Sequence, residues 1–336
     1  MNNPTYKPLT ATPYKHNETY TEMLPANPEL AKYIRCFWGS ERPFFQKEEH
    51  TVSSIVIPDT CVDIIYNIDH TDNTASGGFS GINDASFYNS ADRKYGHLVS
   101  TFAIRFYAWA VYAFSQDSLK DTLNGYSDVQ SRFMWLDRVL RQQLFEKRSM
   151  AERAAIAEAA FLKRLSVAGK DSPAGGVLTD SGISAIGKVR RNNTIDCVVA
   201  QMLLHKGNVN TAELARECFV SSRQLERLFH EYIGITPKKL CNLVRYQCLW
   251  GELMSNPRFH VADAVYRYGY TDQSHLMREF KRYHTMNISQ AKKCAYDNVS
   301  NVGNIQYISS GKNIINSERT VTTKMITKEK IRYEIL

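Results

Sequence analysis

One short pattern occurs twice in the chain, and this pair constrains the fold more than any other feature. The first copy spans residues 211–234 and the second spans residues 261–283. In each copy, apolar residues spaced three and four apart predict a helix, a tight turn and a second helix. We expect the turn at Val220 in the first copy and at Gly269-Tyr270 in the second. A repeat about fifty residues apart indicates two helix-turn-helix units in one helical region.

The residues of these units also carry a family resemblance. The stretches LARECFVSSRQLERLFHEYIGITPKK and YGYTDQSHLMREFKRY resemble the DNA-binding domain of AraC/XylS-type transcription regulators. The resemblance covers residues 195–296. It implies that a spacer helix beginning at Thr236-Pro237 holds two recognition helices about one DNA turn apart, so that they read two successive major-groove segments.

In the first unit, the second helix is predicted to present four polar side chains outward. Arg223, Glu226, Arg227 and His230 are spaced three and four apart, opposite an apolar face. Because an arginine can bond two acceptors of one guanine, we expect Arg223 and Arg227 to contact base edges. The alternative for each is an ordinary solvated charge, and Glu226 could equally pair with Arg223 within the helix.

In the second unit, the outward face is predicted to carry Gln273, Ser274, His275 and Arg278. The family resemblance places Gln273, Ser274 and Arg278 in the groove, where glutamine and arginine suit adenine and guanine. His275 is equally consistent with a surface histidine. Phosphate contacts, with simple solvation as the alternative, are predicted for the basic residues Lys238, Lys239, Lys281 and Arg282. Arg245 is expected to form a structural ion pair.

The two units are not predicted to be equivalent. The first has complete capping signals, Asn210 with Glu213 and Ser221 with Gln224. The second departs from the family pattern, since Val265 replaces a small alanine and is expected to open the turn. The other departures are Leu276 for an aromatic residue, Thr285 for glycine and Ile288 for proline. We therefore expect the first unit to anchor specificity and the second to be the more tolerant reader.

The distribution of charge supports a nucleic-acid partner. The chain has a net charge of +8, and residues 190–296 contain 16 basic and 9 acidic residues. Nearly all of the excess positive charge therefore lies on the repeated region. Neutralisation of phosphate by such a surface drives non-specific DNA affinity.

The N-terminal half is predicted to be rich in short strands. The β-branched runs SSIVIPD, CVDIIYNI and LVSTFAIRFYAWA and the glycine-containing GGFSGI are typical strands separated by turns. Apolar spacing predicts a helix in PELAKYIRCFWGS and a short helix in SQDSLKDTL. Two amphipathic helices follow, with caps expected at Ser127 and Ser149. Most aromatic residues of the sheet are expected in the core rather than lining a pocket.

Together these patterns predict an α+β multidomain chain. Residues 1–165 form a β-rich effector or dimerisation domain with flanking helices, and residues 166–187, rich in Ser, Gly and Ala, form a flexible linker. The double helix-turn-helix domain with its spacer helix occupies 188–296, and a polar tail occupies 297–336. The first part also resembles an uncharacterised sensor-type domain found ahead of some DNA-binding domains of this family.

The sequence favours a DNA-binding regulator over an enzyme. Its expected partners are double-stranded promoter DNA and, by the family resemblance, RNA polymerase, with a small-molecule effector and a homodimer left open. An N-terminal half that serves only for protein interaction or dimerisation is the first alternative. A metal-dependent enzyme fused to a DNA-binding domain is the second, but His50, His70 and His97 lack ligand spacing. We expect no cofactor or metal and, since the start has no signal-peptide pattern and no long apolar run occurs, a cytoplasmic protein.

Overall fold

Strands dominate the first part of the chain and helices the second, in the order that the sequence predicts. The structure is a computed structural model and describes residues 6–9, 20–46, 54–89, 94–168, 190 and 192–299. All of them belong to one unit, Met1–Gly303. In this described part, an antiparallel sheet with two helices precedes a bundle of seven helices, which confirms the α+β fold class.

The N-terminal domain is built on antiparallel strands. The strands are β1 (Tyr20–Met23), β2 (Ile34–Ser40), β3 (Phe44–Phe45), β4 (Ser54–Val56), β5 (Cys61–Asp69), β6 (Thr74–Ser80), β7 (Phe87–Asn89), β8 (Leu98–Tyr107) and β9 (Tyr126–Asp128). The main sheet has the strand order β1-β2-β8-β5-β6-β9, with the short β3 also paired with β8, and β4 and β7 form a separate pair. The predicted strand runs are confirmed as β4, β5, β6 and β8.

Two helices, α1 (Gln130–Glu146) and α2 (Met150–Ala168), pack against this sheet. Phe161 of α2 meets Phe106 of β8 with ring centroids 5.5 Å apart, which joins the two layers. The sheet aromatics Phe102, Phe106 and Trp109 are buried, as expected for core residues, while Tyr107 is half-buried. Burial of such rings supplies much of the free energy that holds the layers together.

Two predicted helices of this domain are wrong. In PELAKYIRCFWGS only a 3-10 turn, Leu30–Lys32, is helical, and Ile34–Ser40 form β2. Although the apolar spacing is that of a helix, this segment forms a strand because β2 is hydrogen-bonded to a strand on each side, β1 and β8. The segment SQDSLKDTL is a loop. It is held by contacts with the next domain instead of by helical hydrogen bonds, because Leu119 is buried and its amide donates to Glu231 O at 2.8 Å.

The capping residues of the two helices follow the sequence only in part. Ser149 caps α2, because its hydroxyl accepts from the Glu152 amide at 3.3 Å and the Glu152 carboxylate accepts from the Ser149 amide at 3.2 Å. This is a complete capping box. The expected cap at Ser127 is wrong: Ser127 lies in β9, and the residue before α1 is Val129, which has no capping side chain.

The C-terminal domain is an all-α bundle around a long central helix. That helix, α6, carries a row of buried apolar side chains on the faces turned to its neighbours, among them Leu240, Leu243, Val244, Leu249 and Leu253. The helices are α3 (Asn193–Leu204), α4 (Thr211–Glu217), α5 (Ser222–Tyr232), α6 (Pro237–Ser255), α7 (Val261–Arg267), α8 (Gln273–His284) and α9 (Ile288–Val299). No helix within the described ranges is both long and apolar enough to cross a membrane.

The predicted linker and tail mostly lie outside the described residues. The linker, 166–187, overlaps the last three residues of α2 at its start, and the tail, 297–336, overlaps the end of α9. The proposed domain limits therefore stay predictions. The cysteines described are thiols, four of them buried and Cys197 exposed.

Candidate nucleic-acid interface

The first helix-turn-helix unit consists of α4 and α5, and both helix starts are capped as expected. The Asn210 side chain accepts from the Ala212 amide at 2.8 Å, and Ser221 Oγ accepts from the Gln224 amide at 3.1 Å. The reciprocal bonds predicted from the Glu213 and Gln224 side chains do not form among the described residues. Each cap still satisfies one of the amides that the first turn leaves without a helical partner.

The helix α5 separates apolar from polar side chains. Leu225 and Phe229 are fully buried against the bundle. On the opposite side, all four predicted contact residues are exposed: Arg223, Glu226, Arg227 and His230. Within the described residues, Arg223 and Arg227 form no ion pair. The alternative pairing of Glu226 with Arg223 within the helix therefore does not form in the free protein. Unpaired guanidinium groups on one helix face can donate bidentate hydrogen bonds to guanine.

The second unit, α7 and α8, repeats this arrangement. Asp272 caps α8 by accepting from the His275 amide at 2.7 Å. Leu276 and Phe280 are buried on the inner side. Three of the predicted contact residues stand exposed on the outer side of α8: Gln273, Ser274 and Arg278. The departure at Leu276 therefore leaves the inner face of the helix apolar and packed.

His275 differs from the other predicted contact residues of α8, because it faces its own unit. Its ring lies edge-on to Tyr270 with centroids 5.3 Å apart, and its Nε2 lies 4.0 Å from Glu279 Oε2. The side chain is 38% exposed. These contacts hold the ring at the start of α8, beside the exposed Gln273 and Ser274.

A buried ion pair ties α8 to the central helix. Arg245 Nη2 lies 2.8 Å from Glu279 Oε2, and the two side chains are only 13% and 11% exposed. Tyr270 OH donates to the same carboxylate at 2.9 Å, and the Arg245 guanidinium lies over the Tyr270 ring at 4.5 Å. The structural role expected for Arg245 is confirmed.

The basic residues predicted to contact phosphate fall into two groups. Lys238, Lys281 and Arg282 are exposed at the start of α6 and the end of α8. Lys239 instead forms an ion pair with Asp84 of the N-terminal domain, with Nζ 2.6 Å from Oδ2. Among the residues that the structure describes, the first group forms no ion pair, although the Arg282 guanidinium lies over the Tyr283 ring at 5.1 Å, whereas Lys239 is already neutralised by Asp84.

The second turn is not opened by Val265, contrary to expectation. The Tyr270 amide donates to Val265 O at 2.9 Å, the same length as the matching bond from Val220 to Ala215 O in the first unit. Val265 is 7% exposed and fits because its side chain points into the bundle core. The two turns therefore close with the same hydrogen bond.

Phe219 lies in the turn of the first unit and was not among the residues predicted from the sequence. It has a left-handed backbone, φ 57°, and its side chain is 95% exposed in the first turn. In the second turn, Gly269 takes the matching conformation, with φ 65°. Placing the two copies side by side in the sequence would have revealed the aromatic residue at a glycine position.

The N-terminal domain contacts the end of α5, which the sequence did not indicate. Besides the Leu119 bond, Ser118 Oγ donates to Glu231 O at 3.2 Å. Gly234, with φ 87°, lies so close to this loop that a Cβ there would be 2.6 Å from Leu119 O. An open cleft lies between the loop and α5, lined by Ser118, Lys120, Asp121, Arg227, His230 and Glu231.

A metal-dependent enzyme would need clustered ligands in the N-terminal sheet. Among the described residues, one group brings its ligand atoms within 4.8 Å of one another: Asp69, Asp72 and His97. These groups already have protein partners. Asp69 accepts from the amides of Thr71 and Asp72 and lies 2.8 Å from His97 Nδ1, and Asp72 pairs with Lys94. Their placement is explained by the turn after β5.

The comparison with known families bears directly on the paired units. A family model described as a helix-turn-helix domain matches residues 214–293, from α4 through α8 into α9. These residues form an AraC-type helix-turn-helix domain. The resemblance inferred from the sequence is thereby confirmed for this part of the chain. A second model, a domain of unknown function (DUF6597), matches residues 22–128, which contain the strands of the N-terminal sheet.

Solved structures similar to the chain include transcriptional regulators. One is a regulator with an AraC-type domain from Chromobacterium violaceum, 20% identical, covering 30% of this chain and 90% of that one, with a TM-score of 0.28. Another is unsaturated fatty acid-bound ToxT from Vibrio cholerae, 12% identical, covering 83% and 97%, with a TM-score of 0.34. No curated protein sequence matches the chain.

Proposed function

We propose that the chain is a sequence-specific, DNA-binding transcription regulator that reads two successive major-groove segments with α5 and α8. The observation that supports this proposal is that each helix is buried on one side and exposes on the other side polar side chains that form no ion pair with the described residues. Arg223 and Arg227 on α5 match guanine, and Gln273 and Arg278 on α8 match adenine and guanine. Lys238, Lys281 and Arg282 add sequence-independent affinity through phosphate contacts.

The AraC-type domain and the contact between domains support a regulatory role. The loop at Ser118 and Leu119 is bonded to the end of α5, so the N-terminal domain can influence how this helix meets DNA. We propose activation by recruitment of RNA polymerase, in line with the family resemblance. Because its partner is promoter DNA, the protein would act in the cytoplasm.

The direct test is selection of bound sequences from a random pool of DNA duplexes with the full chain. We expect one enriched site with two sequence blocks about one helical turn apart. Affinity should fall with increasing salt in proportion to the phosphates contacted. Binding without enrichment, or no salt-dependent binding, would overturn the proposal.

The roles of the two helices are separated by matched arginine variants. Arg227→Ala should weaken binding to the selected site by about 1–3 kcal/mol and leave binding to mixed-sequence DNA nearly unchanged. Arg278→Ala should relax sequence preference in the other block by a smaller amount, since we propose that the second unit is the more tolerant reader. Arg258→Ala, an exposed arginine outside both helices, is the control for loss of charge. Equal losses on specific and mixed DNA would mean that Arg227 contacts phosphate only.

A further inference from the structure

An acidic side chain of the N-terminal domain is held in place to meet the DNA-binding domain. Asp84 follows β6, and its carboxylate accepts from Asn124 Nδ2 at 2.7 Å, while the Asp84 amide donates to Asn124 Oδ1 at 3.0 Å. The Asn124 amide in turn donates to Ile82 O at 2.9 Å. This arrangement fixes the carboxylate before any contact with the other domain, so little side-chain entropy is lost when it binds a cation.

The partner of Asp84 lies at the start of the central helix. Lys239 Nζ is 2.6 Å from Asp84 Oδ2, and the Asp84 side chain is 16% exposed. Lys238 and Lys239 both lie in the first turn of α6, where the helix dipole carries partial positive charge. Two cations at this end are unfavourable unless an anion is nearby. The helix start is therefore a place where a negative group gains stability.

Asp84 also interacts electrostatically with Arg282, a cation of the second recognition helix. Burial raises its pKa, but the hydrogen bonds from Lys239 and Asn124 and the charges of Lys239 and Arg282 outweigh this and hold the pKa below its ordinary value. The carboxylate thus stays ionised near neutral pH. It lies within the electrostatic reach of Arg282 and in contact with Lys239, two cations for which the sequence predicts phosphate contacts.

We propose that the Asp84 carboxylate occupies a phosphate-binding position on the DNA-binding domain, and that the DNA backbone must displace it from Lys239. This inference rests on the proposed function. In the free protein, Asp84 neutralises Lys239 and reduces the positive potential that Arg282 offers to DNA. In the complex, a phosphodiester oxygen takes the place of the carboxylate, since both are anionic acceptors for an ammonium group.

The exchange couples DNA binding to the position of the N-terminal domain. Any change in the N-terminal domain that withdraws Asp84 strengthens DNA binding, and DNA binding weakens the Asp84 contact by the same free energy. Other contacts between the domains do not involve Lys239. Gln247 Nε2 donates to Pro58 O at 2.7 Å, and Leu119 donates to Glu231 O. Loss of the Asp84 contact therefore leaves the domains in contact elsewhere.

The test compares two carboxylate variants of the full chain on one mixed-sequence DNA duplex at low salt. Asp84→Asn should bind about three- to tenfold more tightly than wild type, because one cation is released. The slope of log affinity against log salt should become steeper by about one phosphate. The control is Asp72→Asn, which makes the same charge change at the Lys94 pair within the N-terminal domain and should leave affinity within about twofold.

A double-variant cycle assigns the effect to the pair. Lys239→Gln should bind DNA more weakly than wild type, and adding Asp84→Asn to it should give a gain of less than about twofold, because only the effect on Arg282 remains. Should Asp84→Asn not fold, Asp84→Ser gives the same comparison. Equal affinities for the Asp84 and Asp72 variants, or weaker binding by the Asp84 variant, would overturn the inference. Loss of DNA binding by the wild type would instead overturn the proposed function.

Discussion

The two helix-turn-helix units have the same backbone arrangement but differ in where a residue other than glycine takes the left-handed conformation. The first has Phe219 at φ 57° in its turn and Gly234 at φ 87° after its second helix. The second reverses this, with Gly269 at φ 65° in the turn and Thr285 at φ 60° at the exit. A left-handed conformation costs a residue other than glycine about 1–2 kcal/mol. Each unit therefore has one strained residue, Phe219 in the first and Thr285 in the second. Neither unit is free of backbone strain.

The units also differ in how they are held to the rest of the protein. The end of α5 is bonded to a loop of the N-terminal domain, and the half-buried Leu228 of α5 packs against the hydrophobic core. At the matching positions, α8 has Glu279, in a buried ion pair, and further along His284, buried among aromatic rings. The second unit thus depends on buried polar groups where the first uses apolar packing. This difference makes the second unit the more sensitive to mutation and to pH.

The largest expected effect comes from breaking the buried ion pair. Glu279→Ala leaves Arg245 as a buried cation without its carboxylate and removes the acceptor of Tyr270 OH, so the second unit should lose about 3 kcal/mol. Hydrogen exchange of the α8 amides measures this loss. The matched variant in the first unit, Arg216→Ala, breaks an exposed pair with Glu213 and should change stability by less than about 0.5 kcal/mol. Similar losses for both would contradict the contrast.

Acidic pH should destabilise the second unit next most strongly. Burial lowers the pKa of His284 to about 3, whereas an unfolded histidine titrates near its ordinary value of about 6.5. The unfolded state therefore binds the proton first, and stability is lost as pH falls from about 6.5 towards 3. At pH 5 the loss should be about 2 kcal/mol.

The matched variant for this pH effect is His284→Leu, because the corresponding position of the first unit is the buried Ile233. Urea unfolding between pH 5 and 7 should show a shallower decline for this variant than for wild type. An unchanged decline would mean that another group titrates. His284 accepts or donates one hydrogen bond at Nδ1, to Tyr246 OH at 2.7 Å, so the variant also loses a constant amount of stability at every pH.

The turns offer a reciprocal pair of substitutions with a smaller effect. Gly269→Ala should cost about 1–2 kcal/mol, because a Cβ would collide with the Asn208 side chain and the backbone is left-handed. Phe219→Gly should raise stability by about 0.5–1 kcal/mol, since the phenyl ring is exposed and the relief of backbone strain exceeds the extra entropy that glycine gives the unfolded chain. Thermal unfolding midpoints measure both. A loss of stability in Phe219→Gly would show that the ring has a packing role.

The caps of the first helices give the smallest expected difference. Asn210 caps α4 with its side chain, whereas His260 precedes α7 without a capping bond. Asn210→Ala should cost about 1 kcal/mol, and His260→Asn should add about 0.5 kcal/mol. Hydrogen exchange of the first-turn amides of α4 and α7 distinguishes these changes. No gain in the His260 variant would mean that the α7 start is already satisfied in another way.

The sequence predicted the C-terminal domain far better than the N-terminal one. Amphipathic helices with caps at Asn210 and Ser221 are specified within a few residues, and both caps form. The segment that became β2 has helical spacing, and only its pairing with β1 and β8 decides its structure. Local signals of this kind fail where distant strands provide the hydrogen bonds.

The candidate site divides in the same way. The exposed faces of α5 and α8 follow from the apolar period, because the side opposite a buried stripe must face solvent. The pairing of Lys239 with Asp84 could not be predicted from local sequence, because the two residues are 155 positions apart. The contact of the His275 ring with Tyr270 and the left-handed backbone of Phe219 lie within the units themselves, but they depend on the geometry of the turns, which the apolar period does not encode.

By itself, the sequence determined that two helix-turn-helix units are present, which helix faces are exposed, and where positive charge collects. It does so because helix periodicity, capping and composition act over a few residues. Only the tertiary structure decided that the N-terminal loop meets the end of α5 and that Asp84 neutralises Lys239, residues 155 positions apart. Such contacts depend on how separately formed layers pack, and the net gain from packing is set by shape and burial across the whole molecule.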